Sequence, residues 1–343
     1  MTELATCNIE DGIGLLTIDS PPVNALSATV RKAICDGFER FAQDESVSAI
    51  VLACAGRTFF AGADISEFGK PPQRPTLHDV LNTIEASTKP VVAAIHGTAL
   101  GGGLELALVC HYRVATASAR LGLPEVKLGI LPGAGGTQRL TRLVGAERTL
   151  DLITSGRHAS ASEMLDWGVV DALADGAELS RAAVAFAKQV LREGRPLQRV
   201  RDRIDRVLSD RGKPELFASF RTKNARTFRG FMAPARIIEC VEAAVELPFD
   251  EGMARERAAF LELVAGTQSA AQRYAFFAER EAAKAPDIAP DTPTLAINRV
   301  GVVGAGTMGG GIAMNFLNMG LPVTLVEANK EALERGIGVI RRN

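Results

Sequence analysis

The sequence predicts an α/β protein that passes into a helical region and ends in a partial βαβα unit. Three observations predict it. Short apolar runs closed by glycine or proline turns alternate with amphipathic helices in the first half. Strand signals stop between about residues 177 and 280, and a glycine-rich strand–turn–helix pattern opens at about residue 299.

The bounds agree with more than one domain. The chain has 343 residues, 47% of them hydrophobic, enough to bury at least one large core. Its 39 basic and 40 acidic residues are interspersed, so no basic face for nucleic acid or an anionic membrane is expected. Cys7, Cys35, Cys54, Cys110 and Cys240 are odd in number and scattered without paired metal-ligand spacing, which predicts reduced thiols. The N-terminus has acids where a signal peptide would be basic, and no run reaches membrane-spanning length. A soluble intracellular protein is expected. The excess of arginine over lysine points to a bacterial cytoplasm, with the peroxisome as the eukaryotic alternative.

Taken in order, "IGLLTI" (13–18) reads as a buried strand, and Ser27 is placed to cap a helix running to about Gln43. "SAIVLACAG" (48–56) and "KPVVAAIHG" (89–97) read as further buried strands, separated by a helix from about Leu77 to Thr88. Next comes "HGTALGGGLELALVC", in which Gly101, Gly102 and Gly103 open an apolar helix and Glu105 interrupts it. Glycines at a helix start expose N–H groups where the macrodipole adds partial positive charge, so this turn suits a developing negative charge. "FFAGADI" (59–65) offers a second small-residue turn and a second donor, and two converging amides would make an oxyanion hole. Glu125 follows in "LGLPEVKLGILPGAGGTQRL", ahead of a glycine loop, 133–136, and a helix from about Thr137. Two poorly solvated carboxylates beside an oxyanion site form an acid/base pair. Helices such as "RAAVAFAKQVLREG" and "RIIECVEAAVEL" fill the region beyond.

After the polar stretch "APDIAPDTPT", Gly304, Gly306 and Gly309 match G-x-G-x-x-G between a strand and a helix, and Glu327 ends the next strand. This is the signature of a Rossmann unit that holds NAD, with the pyrophosphate at the helix N-terminus and the acid on a ribose hydroxyl. Only about half of such a domain is present, so no NADH formation is expected from these 343 residues.

"AGADI", "HGTALGGGLELAL" and "LPEVKLGILPGAGGTQRL", at their spacing, resemble the crotonase, or enoyl-CoA hydratase/isomerase, family over residues 1 to about 195. "RGFMAPARIIECVEAAVELPFDEGMARERAAFLEL", "RYAFFAERE" and the dinucleotide motif resemble multifunctional β-oxidation enzymes that fuse a hydratase to an L-3-hydroxyacyl-CoA dehydrogenase. The resemblance implies a crotonase-like ββα spiral over 1–195, a helical region with a linker helix over 196–284, a linker over 285–296, and a truncated Rossmann start over 297–343. It places the oxyanion amides on Ala63 and Gly102, and the catalytic acids on Glu105 and Glu125. It puts Ala61 at the CoA adenine and Gly133 at the acyl α-carbon; Asp64, next in sequence to the oxyanion turn, is expected to cap or pair locally and to shape that turn at the substrate.

The implied reaction is hydration of a trans-2-enoyl-CoA to a 3-hydroxyacyl-CoA, with Δ3–Δ2 isomerisation as a second activity of the same site. No cofactor is implied for hydration, and NAD is implied for the full-length dehydrogenase. A non-catalytic acyl-CoA-binding or assembly module is the rival expectation, and the two glutamates discriminate against it. Single-domain relatives trimerise, whereas fused ones often lay an extra helix, here about 250 to 283, over the same surface. A monomer is expected, with a trimer or a thiolase complex as alternatives.

Several residues are expected to be structural. His78, His96, His111 and His158 lack ligand spacing, so no metal is expected. Ser160 and Ser162 lack a nucleophile elbow. The segment 199–213, with alternating charge, reads as a solvated face, with CoA phosphate contact as the sharper alternative.

Overall fold

The structure, a computed structural model, describes residues 4–68, 70–282, 284–285, 287–289 and 292–343. Residues 286, 290 and 291 of the expected linker lie outside the described residues. The chain divides into two compact units, residues 1–281 and 282–343.

The first unit is built on a six-stranded sheet in the order β1-β2-β3-β4-β6-β9. β1 (Ala5–Glu10) pairs antiparallel with β2 (Ile13–Ile18). β3 (Ala49–Cys54), β4 (Val91–Ile95), β6 (Tyr112–Thr116) and β9 (Ala172–Ala174) continue the sheet in parallel. A second sheet joins β5 (Thr98–Leu100) to β7 (Arg120–Gly122) in parallel, and β7 to β8 (Ala159–Ser160) antiparallel.

α1 (Ala28–Gln43), with Ser27 as its N-cap, follows β2, and α2 (Leu77–Glu85) follows β3. α3 (Gly102–Val109) follows the pair β4 and β5. A 3-10 turn (Pro124–Leu128), α4 (Gly136–Val144) and α5 (Ala146–Ser155) follow the pair β6 and β7. Large-sheet strand, small-sheet strand, then helix is the repeated ββα order of the crotonase fold.

The period of two in the strands divides the core. Ala49, Val51 and Ala53 of β3, with Val92 and Ala94 of β4, face α7 (Leu179–Arg192) through Ala183, Val184 and Ala187. Ile50 and Leu52, with Ala93 and Ile95, face the larger core that holds α1, α3, α4 and α5. All eight residues of α3 are buried, so its only charged side chain, Glu105, cannot reach bulk water.

α8 (Asp205–Asp210) and α10 (Ala233–Glu246) pack on α4 and α5, α9 (Pro214–Phe228) packs on α10, and α6 (Ala161–Asp166) packs on β7, β8 and β9. Where a single helix was expected over about 250 to 283, there are two, α11 (Phe249–Ala265) and α12 (Thr267–Ala282). Gly266, extended at φ −76° and ψ 152°, ends the first.

The segment 199–213 is not simply a solvated face. Val200 and Val207 are buried, and Arg201 lies over the Phe249 ring while pairing with Asp250 at 2.6 Å. Among the described residues no helix is long and apolar enough to cross a membrane.

In the second unit, β10 (Val300–Val303) and β11 (Val323–Val326) pair in parallel, with α13 (Thr307–Asn318) between them and α14 (Lys330–Arg342) after.

Candidate active site

The site forms where the loop after β3 meets the start of α3. Phe59 and Phe60 are fully buried and pack edge to face at 4.6 Å, anchoring residues 59–63. The Leu100 N–H donates to Phe60 O at 3.2 Å, the Gly101 N–H to Gly122 O at 2.9 Å, and the Leu26 N–H to Gly62 O at 2.9 Å.

A Cβ on Gly103 would overlap the Phe60 carbonyl, and one on Gly102 would stand 3.3 Å from Ala63 N. The triple glycine therefore lets two backbones approach until the Ala63 and Gly102 amides are neighbours. Among the described residues neither amide has an acceptor, and the Gly102 amide is the first of α3, where the helix offers no partner of its own.

Ala61 lies on the same loop, with its N–H given to Val23 O at 3.2 Å. Asp64 accepts from Ser66 N at 2.9 Å and caps the short 3-10 turn Ile65–Glu67. From the opposite side, Glu67 accepts from Ala28 N at 3.0 Å and from Arg31 Nη1 at 2.9 Å. Arg31 also donates to the Leu26, Gln73 and Pro75 carbonyls, tying this segment to α1.

Glu105 is 3% exposed, and its Oε1 accepts from Ala134 N at 2.8 Å and Gly136 N at 2.9 Å. Burial raises its pKa, against the pull of these two N–H groups and of the Arg139 charge. Glu125 stands across the start of the same helix, with Oε1 2.9 Å from where a Cβ on Gly101 would be, and the Gly101 carbonyl accepts the Glu105 N–H. Its Oε2 is sealed from solvent and has no hydrogen-bond partner among the described residues. Burial pushes Glu125 well above the usual carboxylate range, and the charges of Glu105 and Glu256 push it further.

Glu256 is a third acid that the sequence reading passed over. It belongs to α11, is 0% exposed, and accepts from Gly135 N at 2.6 Å, Thr137 N at 2.9 Å and the Thr137 hydroxyl. Burial and the nearby Glu105 raise its pKa to about 8. Gly133 opens the same loop under the Phe260 ring of α11, which meets Phe68 edge to face at 6.2 Å. Burial lowers the pKa of His78, which lies near the Gly133 backbone. His111 accepts from Val91 N at 3.1 Å through Nδ1, and His96 Nε2 meets Gly56 O at 3.1 Å, both within the framework.

The second unit brings its own expected residues together. Gly304 has φ +94°, and a Cβ on Gly309 would overlap the Gly304 carbonyl, so the first and third glycines answer to turn and close packing. Gly306 caps α13 with nothing within 4 Å of a Cβ, which leaves its backbone open to a ligand. Glu327 Oε2 accepts from Ala305 N at 2.9 Å, placing the acid at the glycine turn, and its pKa is lowered by the Ala305 and Ala328 N–H groups.

Comparison with known proteins agrees with this geometry. Residues 8–245 match the family profile described as enoyl-CoA hydratase/isomerase, and residues 299–343 match the NAD binding domain of 3-hydroxyacyl-CoA dehydrogenase. A peroxisomal bifunctional enzyme of Danio rerio is 43% identical over 343 residues, 98% of this chain and 47% of that protein. A glyoxysomal fatty acid beta-oxidation multifunctional protein, MFP-a, of Cucumis sativus is 35% identical over 97% of this chain and 47% of its own length. The chain thus spans about half the length of the curated relatives it matches. An enoyl-CoA hydratase/isomerase structure from Pseudoalteromonas atlantica aligns with a TM-score of 0.59 at 26% identity, covering 84% of this chain and all of the other. A family profile matched over more than half of the residues, on a fold that carries the paired amides and buried acids, places this chain in the enoyl-CoA hydratase/isomerase family.

Proposed function

We propose that the first unit hydrates trans-2-enoyl-CoA thioesters to 3-hydroxyacyl-CoA. The observation that carries this reading is the juxtaposition of two neighbouring amides without acceptors among the described residues and two carboxylates, buried Glu105 and half-buried Glu125, held in different surroundings. Addition of water to the double bond places negative charge on the thioester oxygen. The Ala63 and Gly102 N–H groups stabilise that charge more than they stabilise the neutral substrate, which lowers the barrier.

The surroundings also divide the labour between the acids. Two N–H donors favour the ionised form of Glu105, whereas Glu125 has an unpartnered oxygen beside that charge and favours the protonated form. Glu105 accepts the proton of the attacking water, and Glu125 delivers a proton to C2. Asp64 shapes the oxyanion turn, while Ala61 would meet the CoA adenine through its backbone and Gly133 would crowd the acyl α-carbon. The same two carboxylates can move a proton between C4 and C2 without water, so Δ3–Δ2 isomerisation belongs to the reading as a second activity.

In the second unit, Gly304, Gly306, Gly309 and Glu327 would hold NAD, which when bound accepts hydride from the carbon that bears a 3-hydroxyl. The whole protein would then oxidise the product of its own first unit.

The test is a steady-state assay with crotonyl-CoA and longer 2-enoyl-CoAs. Glu105→Gln and Glu125→Gln are each expected to lower kcat by about 10²- to 10⁴-fold. Unchanged hydration in both variants would leave a non-catalytic acyl-CoA-binding module as the better reading.

A further inference from the structure

The loop between Gly133 and α4 distributes its amides alternately. Ala134 and Gly136 donate to Glu105, while Gly135 and Thr137 donate to Glu256. Neighbouring peptide N–H groups point in opposite directions here, so one carboxylate grips each side of a four-residue strip. Glycine at 135, with φ +100°, permits that geometry.

Glu256 is remote in sequence, 121 residues from Gly135, and is placed by α11, which packs on α4 and α10. Among the described residues, every hydrogen bond of its side chain goes to this strip. We infer that Glu256 is a positioning residue of the hydratase site: by holding Gly135 and Thr137 it fixes the Ala134 and Gly136 amides, and through them the Glu105 carboxylate.

The inference rests on the hydratase reading above. The groups that face Glu256 are Glu105 of α3, Glu125 of the 3-10 turn, the Cys240 thiol of α10 and the Thr137 hydroxyl of α4. Arg139 of α4 acts on Glu105 from the same side. With two acids and a thiol around it, a charge on Glu256 opposes ionisation of Glu105, while its grip on the strip supplies the two N–H groups that favour it. Glutamine has the same shape but turns an NH2 toward N–H donors and drops the charge, so the strip loses one of its two grips.

The test uses the whole chain with crotonyl-CoA. Glu256→Gln is expected to lower kcat by about tenfold or more with KM within about threefold, the pattern of an interaction realised in the transition state. The acid limb of its kcat/KM profile is expected to move. The deciding measurement is a double-mutant cycle, in which Glu105→Gln combined with Glu256→Gln should be no slower than Glu105→Gln alone. Thr137→Val, which keeps the Thr137 N–H donor but removes the hydroxyl contacts to Glu256 and from Gln138, is expected to show a smaller effect in the same direction and takes the place of Glu256→Gln in the cycle if that variant does not fold. An unchanged kcat, or losses that multiply in the double variant, would overturn the positioning role. No hydration by the unsubstituted chain would instead overturn the hydratase reading.

Discussion

Glu125 is the side chain most exposed to a conflict between stability and chemistry. Its pKa is raised by burial first and by Glu105 second, so the folded state binds its proton more tightly than the unfolded chain does. For a carboxyl group raised in this way, the stabilising contribution is complete below the ordinary value of 4.5 and is lost as pH rises through the folded pKa. Glu125→Gln is therefore expected to gain on the order of 1–2 kcal/mol relative to the parent at alkaline pH while losing hydration. Melting curves from pH 5 to 9 would show it as a smaller fall of Tm with pH in the variant. Glu105 and Glu125 were legible in the sequence because each is an acid among glycines and apolar residues. Glu256 was not, since "MARERAAF" alternates charge as any solvated helix does, and only the fold turns that position inward.

Elements set the limits within which those side chains work, and the α3 entrance separates two kinds of glycine. Gly103→Ala drives a methyl group into the Phe60 carbonyl, which is backbone and cannot move aside, so a loss of about 2–4 kcal/mol by denaturant unfolding is expected. Gly102→Ala meets the Leu77 side chain at 3.0 Å, which can yield, and the Ala63 backbone amide only at 3.3 Å, a gap of a few tenths of an ångström. It is expected to stay folded and to lose about tenfold or more in crotonyl-CoA turnover, through its place at the oxyanion amides.

Between α2 and α4, Arg139 and Glu85 form a bidentate pair at 3.0 and 2.9 Å, both almost wholly buried. Glu85→Ala strands a cation and should cost about 3–5 kcal/mol, read by the same unfolding curves. The long elements α1, α2, β2, β3 and β4 were legible within a few residues, because apolar period and caps agree there. β1 was missed because "ATCNIE" is an edge strand whose exposed side chains resemble a loop. The break at Gly266 was missed because helical periodicity continues on both sides of it.

At the scale of the whole molecule, residues 282–343 form a compact unit of their own. A chain shortened to end at residue 298 is expected to hydrate crotonyl-CoA with kcat/KM within about twofold of the parent, by the same assay. The repeated ββα order was accessible only through resemblance, since the short strands β5, β7 and β8 hold three, three and two residues and carry no periodic signal.

The distance along the chain between the glycine strip and Glu256 has a consequence for biosynthesis. At ordinary elongation rates the ribosome needs about 6 to 24 s to add the 121 residues that separate Gly135 from its acceptor. For that interval a nascent polypeptide carries the strip with half of its amides unclaimed. Competence to turn over substrate would then arrive late, with α11, long after the residues that perform the chemistry have left the tunnel.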